Sequence, residues 1–207
     1  MKGLLTMGLI AGIVSALCGC RNAEPATLNK KPEGRILVAC YSESKNKNTL
    51  TAAKWIHQNV GGDLLEIEMV TPYSESYKDV LKESKKHLDD GVKPDIKPTG
   101  KNIADYDVIF IGSPVWYGTF APPVATFLSQ GDFSGKTIIP FCTHGGGGAG
   151  KLYDDIAKAV PKAKVLPGLT LKGSNIIERT IGRGTASKAS PDEVIRWLND
   201  ITPEYSK

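Results

Sequence analysis

The sequence predicts an α/β domain built on a doubly wound, five-stranded parallel sheet with helices on both faces. Three observations carry this reading. Short apolar runs alternate with segments of helical period, the pattern of successive βα units. The first run is uncharged and ends abruptly, as a buried parallel strand should. The loops richest in Ser, Gly and aromatic residues all follow strands, where open α/β sheets bind ligands.

Strand one, Arg35–Tyr41, runs into Ser42 and a polar loop. A helix follows over Thr49–Val60, with Ala52, Ala53, Ile56 and Val60 on one face and Gly61-Gly62 as its stop. Strand two is Leu64–Met69. Tyr77–Leu88 reads as a charged amphipathic helix and Lys93–Ile103 as a proline-broken loop. Strand three, Val108–Ile111, leads to a helix over Val124–Gln130, entered through Pro122-Pro123 at the position where proline is pre-organised for a helix. Strand four is Thr137–Cys142, the next helix Lys151–Val160 and strand five Val165–Leu171. A last helix over Asp192–Asn199 has Ser190, Pro191 and Glu193 as a capping box. Right-handed crossovers complete the topology.

With 207 residues and 41% apolar content the chain accommodates one folded domain, 35–207, behind a separate N-terminus. Residues 1–19 have the form of a signal peptide: Lys2, an apolar stretch over Gly3–Leu17, then Leu17-Cys18-Gly19-Cys20. The apolar run is shorter than the ~20 residues that span a bilayer. Its ending resembles the lipobox of bacterial lipoproteins, which implies cleavage before Cys20, lipidation of the Cys20 thiol and a membrane anchor on the extracytoplasmic face. Residues 20–34, rich in Pro, Asn, Lys and Ala, read as a flexible tether. The formal charge of +4 is mild, and no Lys/Arg cluster with interleaved aromatics argues for nucleic acid. Cys40 and Cys142 end the first and fourth strands; with one strand between them they stand ~9–10 Å apart, beyond the ~7 Å reach of a disulfide. Both are expected to be free thiols.

Three loops carry the chemistry. In the first, Ser42, Ser44, Asn48 and Thr49 can donate to a phosphate at a helix N-terminus, with Lys45 or Lys47 offsetting its charge. In the second, Gly112–Pro123, Trp116 and Tyr117 stand between Pro114 and Gly118 just past a strand end. Their rings are expected to stay out of the core and to suit a planar heteroaromatic ligand. In the third, Thr143–Gly150, four consecutive glycines let backbone N–H groups approach a ligand edge. His144 is a candidate proton donor there, whereas His57 and His87 read as helix-surface residues. Gly145, Gly147 and Gly150 satisfy G-x-G-x-x-G, but no acid follows over Lys164–Gly173, which argues against a dinucleotide fold. Ser134–Thr137 mimics a Walker A tail but precedes a strand. No metal-ligand motif is present.

A phosphate loop after strand one, aromatics after strand three and a Gly-rich loop after strand four resemble the flavodoxin family. The resemblance spans Arg35 to about Asn199 and is sharpest at Gly112–Thr119 and Pro140–Gly146. It implies the strand order 2-1-3-4-5 and an FMN cofactor. Ser42, Ser44, Asn48 and Thr49 would take the phosphate. Pro114, Val115, Trp116, Tyr117 and Gly118 would line the isoalloxazine, with Thr143, His144, Gly145, Gly146 and Gly147 at its other edge. The phosphate loop departs from the family's S-x-T-G-N-T: two residues are inserted, and Lys47 stands where glycine is usual.

The implied activity is electron transfer or FMN-dependent oxidoreduction at a membrane surface. The alternatives are an NAD(P)H-dependent quinone or flavin reductase and a non-enzymatic binding lipoprotein on the same fold. Lys45 and Lys47 suggest a less negative potential than in acidic flavodoxins. The sequence names no redox partner or oligomeric state; Thr71–Lys101 and Arg179–Ser190 are the expected partner-facing segments.

Overall fold

A computed structural model of the chain describes residues 26–173 and 190–205. Within it the elements run β1 (Ile36–Tyr41), α1 (Asn48–Val60), β2 (Asp63–Ile67), α2 (Tyr77–Asp89), β3 (Val108–Trp116), β4 (Thr119–Phe120), α3 (Pro122–Gln130), β5 (Thr137–His144), α4 (Leu152–Ala159), β6 (Lys164–Val165), β7 (Leu169–Lys172) and α5 (Pro191–Tyr205). The parallel sheet has the order β2-β1-β3-β5, with β6 and β7 both pairing with β5. The 2-1-3-4-5 order thus holds, with the fifth strand in two pieces. Pro167-Gly168 interrupts it, and the Leu166 N–H still reaches the Ile138 carbonyl at 2.8 Å.

Side chains alternate across the sheet, so two cores form. Leu37, Ile109 and Ile138 face α3 and α4, where Val124, Phe127, Leu152 and Ile156 are buried. Val38, Phe110, Ile139 and Phe141 face α1 and α5, against Ala52, Ile56, Val194 and Leu198. Cys40 belongs to the second core and Cys142 to the first, on opposite faces of the sheet. This separates the two free thiols more firmly than strand spacing does. Burial pushes both thiols above the ordinary cysteine range. Both are expected to resist a thiol reagent in the folded protein and to react fully once it is denatured; fast labelling of the native protein would contradict this placement.

Of the boundaries that differ from the sequence reading, those of β3 and α5 differ most, each with a physical reason. β3 runs five residues past Ile111 because Pro114 sits where its missing N–H costs nothing: it pairs with Thr143 of β5, while the pairing with β1 has already stopped at Cys40 opposite Gly112. Strand three then folds back, with Trp116 opposite Thr119 in a hairpin whose two turn residues, Tyr117 and Gly118, have φ of 50° and 81°. α5 extends to Tyr205 because Ile201 and Tyr205 prolong the buried stripe of Val194, Trp197 and Leu198. Its start is as expected, with the Glu193 N–H donating to Ser190 Oγ at 3.1 Å.

The segment read as a tether is anchored in its described part. The Asn29 N–H donates to Asn199 Oδ1 at 2.8 Å, Asn199 Nδ2 donates to the Thr27 carbonyl at 2.9 Å, and Tyr205 donates to the Lys30 carbonyl at 3.2 Å. The described part of the expected tether is therefore held to α5 at Thr27, Asn29 and Lys30. The expected signal peptide, Cys20 and all of Arg179–Ser190 except Ser190 lie outside the described residues.

Candidate functional site

The loops after β1, β3 and β5 converge on one cleft of about 840 Å³ at the carboxyl ends of the strands. Of the residues singled out from sequence, Ser44, Asn48, Thr49, Pro114, Val115, Trp116, Tyr117, Thr143, His144 and Gly145 line it, together with Lys45. The first and third loops are tied directly: the Thr49 and Thr143 hydroxyls lie 2.8 Å apart. The base of the hairpin is held by Ser113, whose Oγ accepts from the Ala121 N–H at 2.9 Å and donates to the Pro114 carbonyl at 2.8 Å.

The N-terminus of α1 closes one end of the cleft. A helix leaves its first N–H groups without intrahelical partners; Lys47, the residue before α1, supplies no side-chain cap, and the Asn48 N–H donates to Ser44 Oγ at 3.3 Å. Two buried polar atoms there have no hydrogen-bond partner, Ser42 Oγ and Asn48 Oδ1. Asn48 lines the cleft and can turn its NH2 group to the same point; Ser42 lies beneath the cleft lining, 3% exposed. A helix N-terminus with a buried hydroxyl free to donate beside it, and an amide that can turn its NH2 group there, suits an anion. Lys47 takes φ 49°, the left-handed conformation that glycine adopts at least cost, which explains why glycine is usual at its position.

The Lys47 ammonium does not face the cleft. It donates to the Ser42 carbonyl and to Glu66, each at 2.8 Å. The charged side chains lining the cleft are then Glu43 and Glu75 against Lys45. The expected less negative potential has no positive patch behind it.

The aromatic pair divides its labour. Trp116 is half-buried rather than free of the core, and its ring meets Tyr41 and Tyr73 edge-on at 5.9 and 5.4 Å. Tyr117 is 51% exposed, and its hydroxyl donates across the cleft mouth to the Leu81 carbonyl of α2 at 2.7 Å. Trp116 therefore caps the core with one edge and lines the cleft with another, while Tyr117 bridges to the opposite wall.

Three expected glycines are placed otherwise. The Gly146 and Gly148 N–H groups donate to His144 Nδ1 at 3.0 and 3.1 Å, so the glycine loop wraps the imidazole and neither Gly146 nor Gly147 lines the cleft. Gly118 also lies outside the lining. Its carbonyl accepts from the Lys151 N–H at 2.6 Å, and a Cβ on Gly150 would meet that carbonyl oxygen at 2.4 Å, so Gly150 allows the hairpin tip to seat on the loop.

With Nδ1 accepting two amides, the His144 proton resides on Nε2. Desolvation, then the Lys172 charge, hold its pKa below the ordinary histidine value. The unfolded chain protonates near the ordinary value of about 6.5, the folded chain only at lower pH. Between the two, the unfolded state binds the extra proton, and stability falls as pH drops below that value. Denaturant titrations across this window should show the loss in the native sequence and a smaller one in His144→Gln; equal slopes would contradict it.

The sequence reading missed one whole wall. Glu43, Pro72, Tyr73, Ser74, Glu75, Tyr77, Val80 and Leu81 line the cleft, and Gly173 lies against the Asn48 amide at its polar end. Much of this wall lies in the segment expected to face a partner, Thr71–Lys101. His87, expected on the surface, is half-buried with Nδ1 2.9 Å from the Tyr73 hydroxyl.

A parallel sheet with this order, and a polar helix N-terminus facing aromatic and glycine loops across one cleft, define a doubly wound cofactor-binding protein of the α/β class. The flavodoxin family model matches residues 35–182, and the chain belongs to that family. Among solved structures it is similar to a candidate flavoprotein from Bacteroides eggerthii, at 28% identity and TM-score 0.68, covering 82% of this chain and 99% of that one. A second, from Bacteroides uniformis, matches at 28% identity and TM-score 0.66 over the same shares. A flavoprotein in complex with FMN from Lactobacillus acidophilus shares the fold at 22% identity and TM-score 0.58, covering 71% and 98%. No curated protein matches the chain.

Proposed function

We propose that this protein binds FMN in the cleft and works as an electron-transfer flavoprotein or FMN-dependent oxidoreductase. It is held on the extracytoplasmic face of a membrane by a lipid on Cys20. The observation that carries the reading is the junction within one cleft of a helix N-terminus, with unsatisfied buried polar atoms beside it, and an aromatic wall. The FMN complex of the Lactobacillus acidophilus flavoprotein supports the choice of cofactor.

The residues present fit the group. Ser44, Asn48, Thr49 and the α1 N-terminus would hold the phosphate, with Ser42 Oγ beneath them and Lys45 as the nearby cation. Pro114, Val115, Trp116 and Tyr117 would flank the ring system, and His144 Nε2–H would offer it a hydrogen bond without net charge. Bound FMN would supply one- and two-electron chemistry. The protein's part is to exclude water with Trp116 and Tyr117, to orient the ring with the Pro114–Val115 backbone, and to keep the His144 proton on Nε2.

The test is the visible spectrum of the purified protein after incubation with FMN and removal of free cofactor. Flavin bands, with FMN in the released ligand, are expected. A protein that stays colourless would refute the reading and leave a non-enzymatic binding role. Rapid anaerobic bleaching of the bound flavin by NAD(P)H would move the assignment to a nicotinamide-dependent reductase.

A further inference from the structure

Ring contacts continue from the cleft wall into the protein. Trp116 meets Tyr73 at a centroid distance of 5.4 Å, and Tyr73 meets the His87 imidazole at 5.5 Å. The Tyr73 hydroxyl lies 2.9 Å from His87 Nδ1. A second branch leaves Trp116 for Tyr41 at 5.9 Å, and the Tyr41 hydroxyl donates to the Glu43 carboxylate. Tyr73 separates two clefts. One is the cleft described above; the other, of about 580 Å³, is lined by Glu83, His87 and Asp95 among others. Trp55 and Trp197 have no tyrosine ring in contact among the described residues; Trp197 packs on Phe110.

We infer that Trp116 and Tyr73 form a one-electron relay that carries oxidising equivalents from the first cleft to the second, with His87 as the acceptor of the phenolic proton. An oxidised indole recovers its electron from a phenol readily only when the phenol can lose its proton. Tyr73 is 6% exposed and poorly placed to release that proton to water. Burial also makes its phenolate costly, so oxidation needs a base already in contact. His87 Nδ1 is in that place.

The step balances. An oxidant in the first cleft, a photoexcited isoalloxazine for example, takes one electron from the Trp116 indole. The indole cation radical then takes one electron from Tyr73 while the phenolic proton moves to His87 Nδ1. Indole is restored, leaving a neutral tyrosyl radical beside a protonated imidazole. Return of the electron and the proton resets the relay; so does one electron from a soluble thiolate in the second cleft, which leaves as a thiyl radical, while His87 returns the phenolic proton. The physiological oxidant rests on the proposed FMN site, but the relay is a property of the side chains and can be tested without the cofactor.

The experiment is pulse radiolysis of the full chain without flavin, in a Tyr41→Phe background that removes the second branch. Azide radicals take one electron from tryptophan, and tryptophan and tyrosine radicals are followed by absorbance. Tryptophan radical should decay as tyrosine radical grows, at a rate independent of protein concentration. Tyr73→Phe in that background should abolish the phase. His87→Gln, which can accept a hydrogen bond but not a proton, should slow it roughly tenfold or more, as for loss of a positioned base. Persistence of the phase without Tyr73, or an unchanged rate in His87→Gln, would overturn the relay. Should the Tyr41 background not fold, Trp116→Phe in the otherwise native chain must remove concentration-independent tyrosine radical formation, and its survival there would overturn the relay equally.

Discussion

Replacing Gly112 with alanine is expected to destabilise the domain by about 1–3 kcal/mol, the usual cost of overpacking a core. Gly112 lies in β3 between Cys40 of β1 and Phe141 of β5, where all three strands are buried. A Cβ there would meet the Phe141 ring at 2.2 and 2.4 Å and the Cys40 Cβ at 2.8 Å. Neither neighbour has space to yield, because both belong to the core under α1 and α5. At roughly 2–4 °C per kcal/mol for a domain of this size, calorimetry resolves the loss. The clash also has a directed remedy. Phe141→Leu removes the ring edge, so the double variant should lose less than the sum of the two single losses. Strict additivity would show that Phe141 is not the obstacle. The change lies one residue before Ser113, so the base of the hairpin should also shift, and ligand binding should weaken along with stability.

Asn48→Asp is expected to weaken FMN binding roughly ten- to a hundredfold, the range for losing a hydrogen bond to a charged group. Asn48 opens α1 and lines the cleft at its polar end. The substitution keeps the shape of the side chain, replaces its donor by an acceptor and sets a carboxylate against the phosphate. Riboflavin, which has the ring but no phosphate, makes the test specific. Its affinity should be nearly unchanged in the variant, so the ratio of FMN to riboflavin affinity should fall. An equal loss for both ligands would mean that the variant disturbs the cleft as a whole. No loss for FMN would place the phosphate elsewhere.

The parts of this fold legible in the sequence are those where one physical effect dominates. The run Ile36–Tyr41 is buried at every position and could be little else than an interior strand. The Ala52-Ala53-Ile56-Val60 stripe and the Ser190–Glu193 cap are local signals that the packing did not override. The sequence reading stops the third strand at Ile111, where the apolar run meets Gly112-Ser113-Pro114; only the end of β1 at Tyr41 makes proline harmless at position 114, and that is a tertiary fact.

The site shows the same division. Residues that follow strands were found, since topology alone brings strand ends together. Tyr73, Tyr77, Val80 and Leu81 were missed because no motif marks them and α2 buries only Ser84 in the core. Lys47 was read as a phosphate cation from its neighbours in sequence, whereas its partner, Glu66, comes from the adjacent strand β2. His144 was singled out by type, but its orientation depends on two amides of the glycine loop that follows it.

The measurement that tests the central claim most directly is a paired titration of the purified protein with FMN and riboflavin, following flavin fluorescence. Saturable one-to-one binding of FMN with quenching by the aromatic wall is expected, with riboflavin bound at least roughly tenfold more weakly for want of the phosphate contact. Unquenched fluorescence, or equal affinity for the two flavins, would contradict the assignment of the α1 N-terminus and the Trp116 wall to one cofactor site.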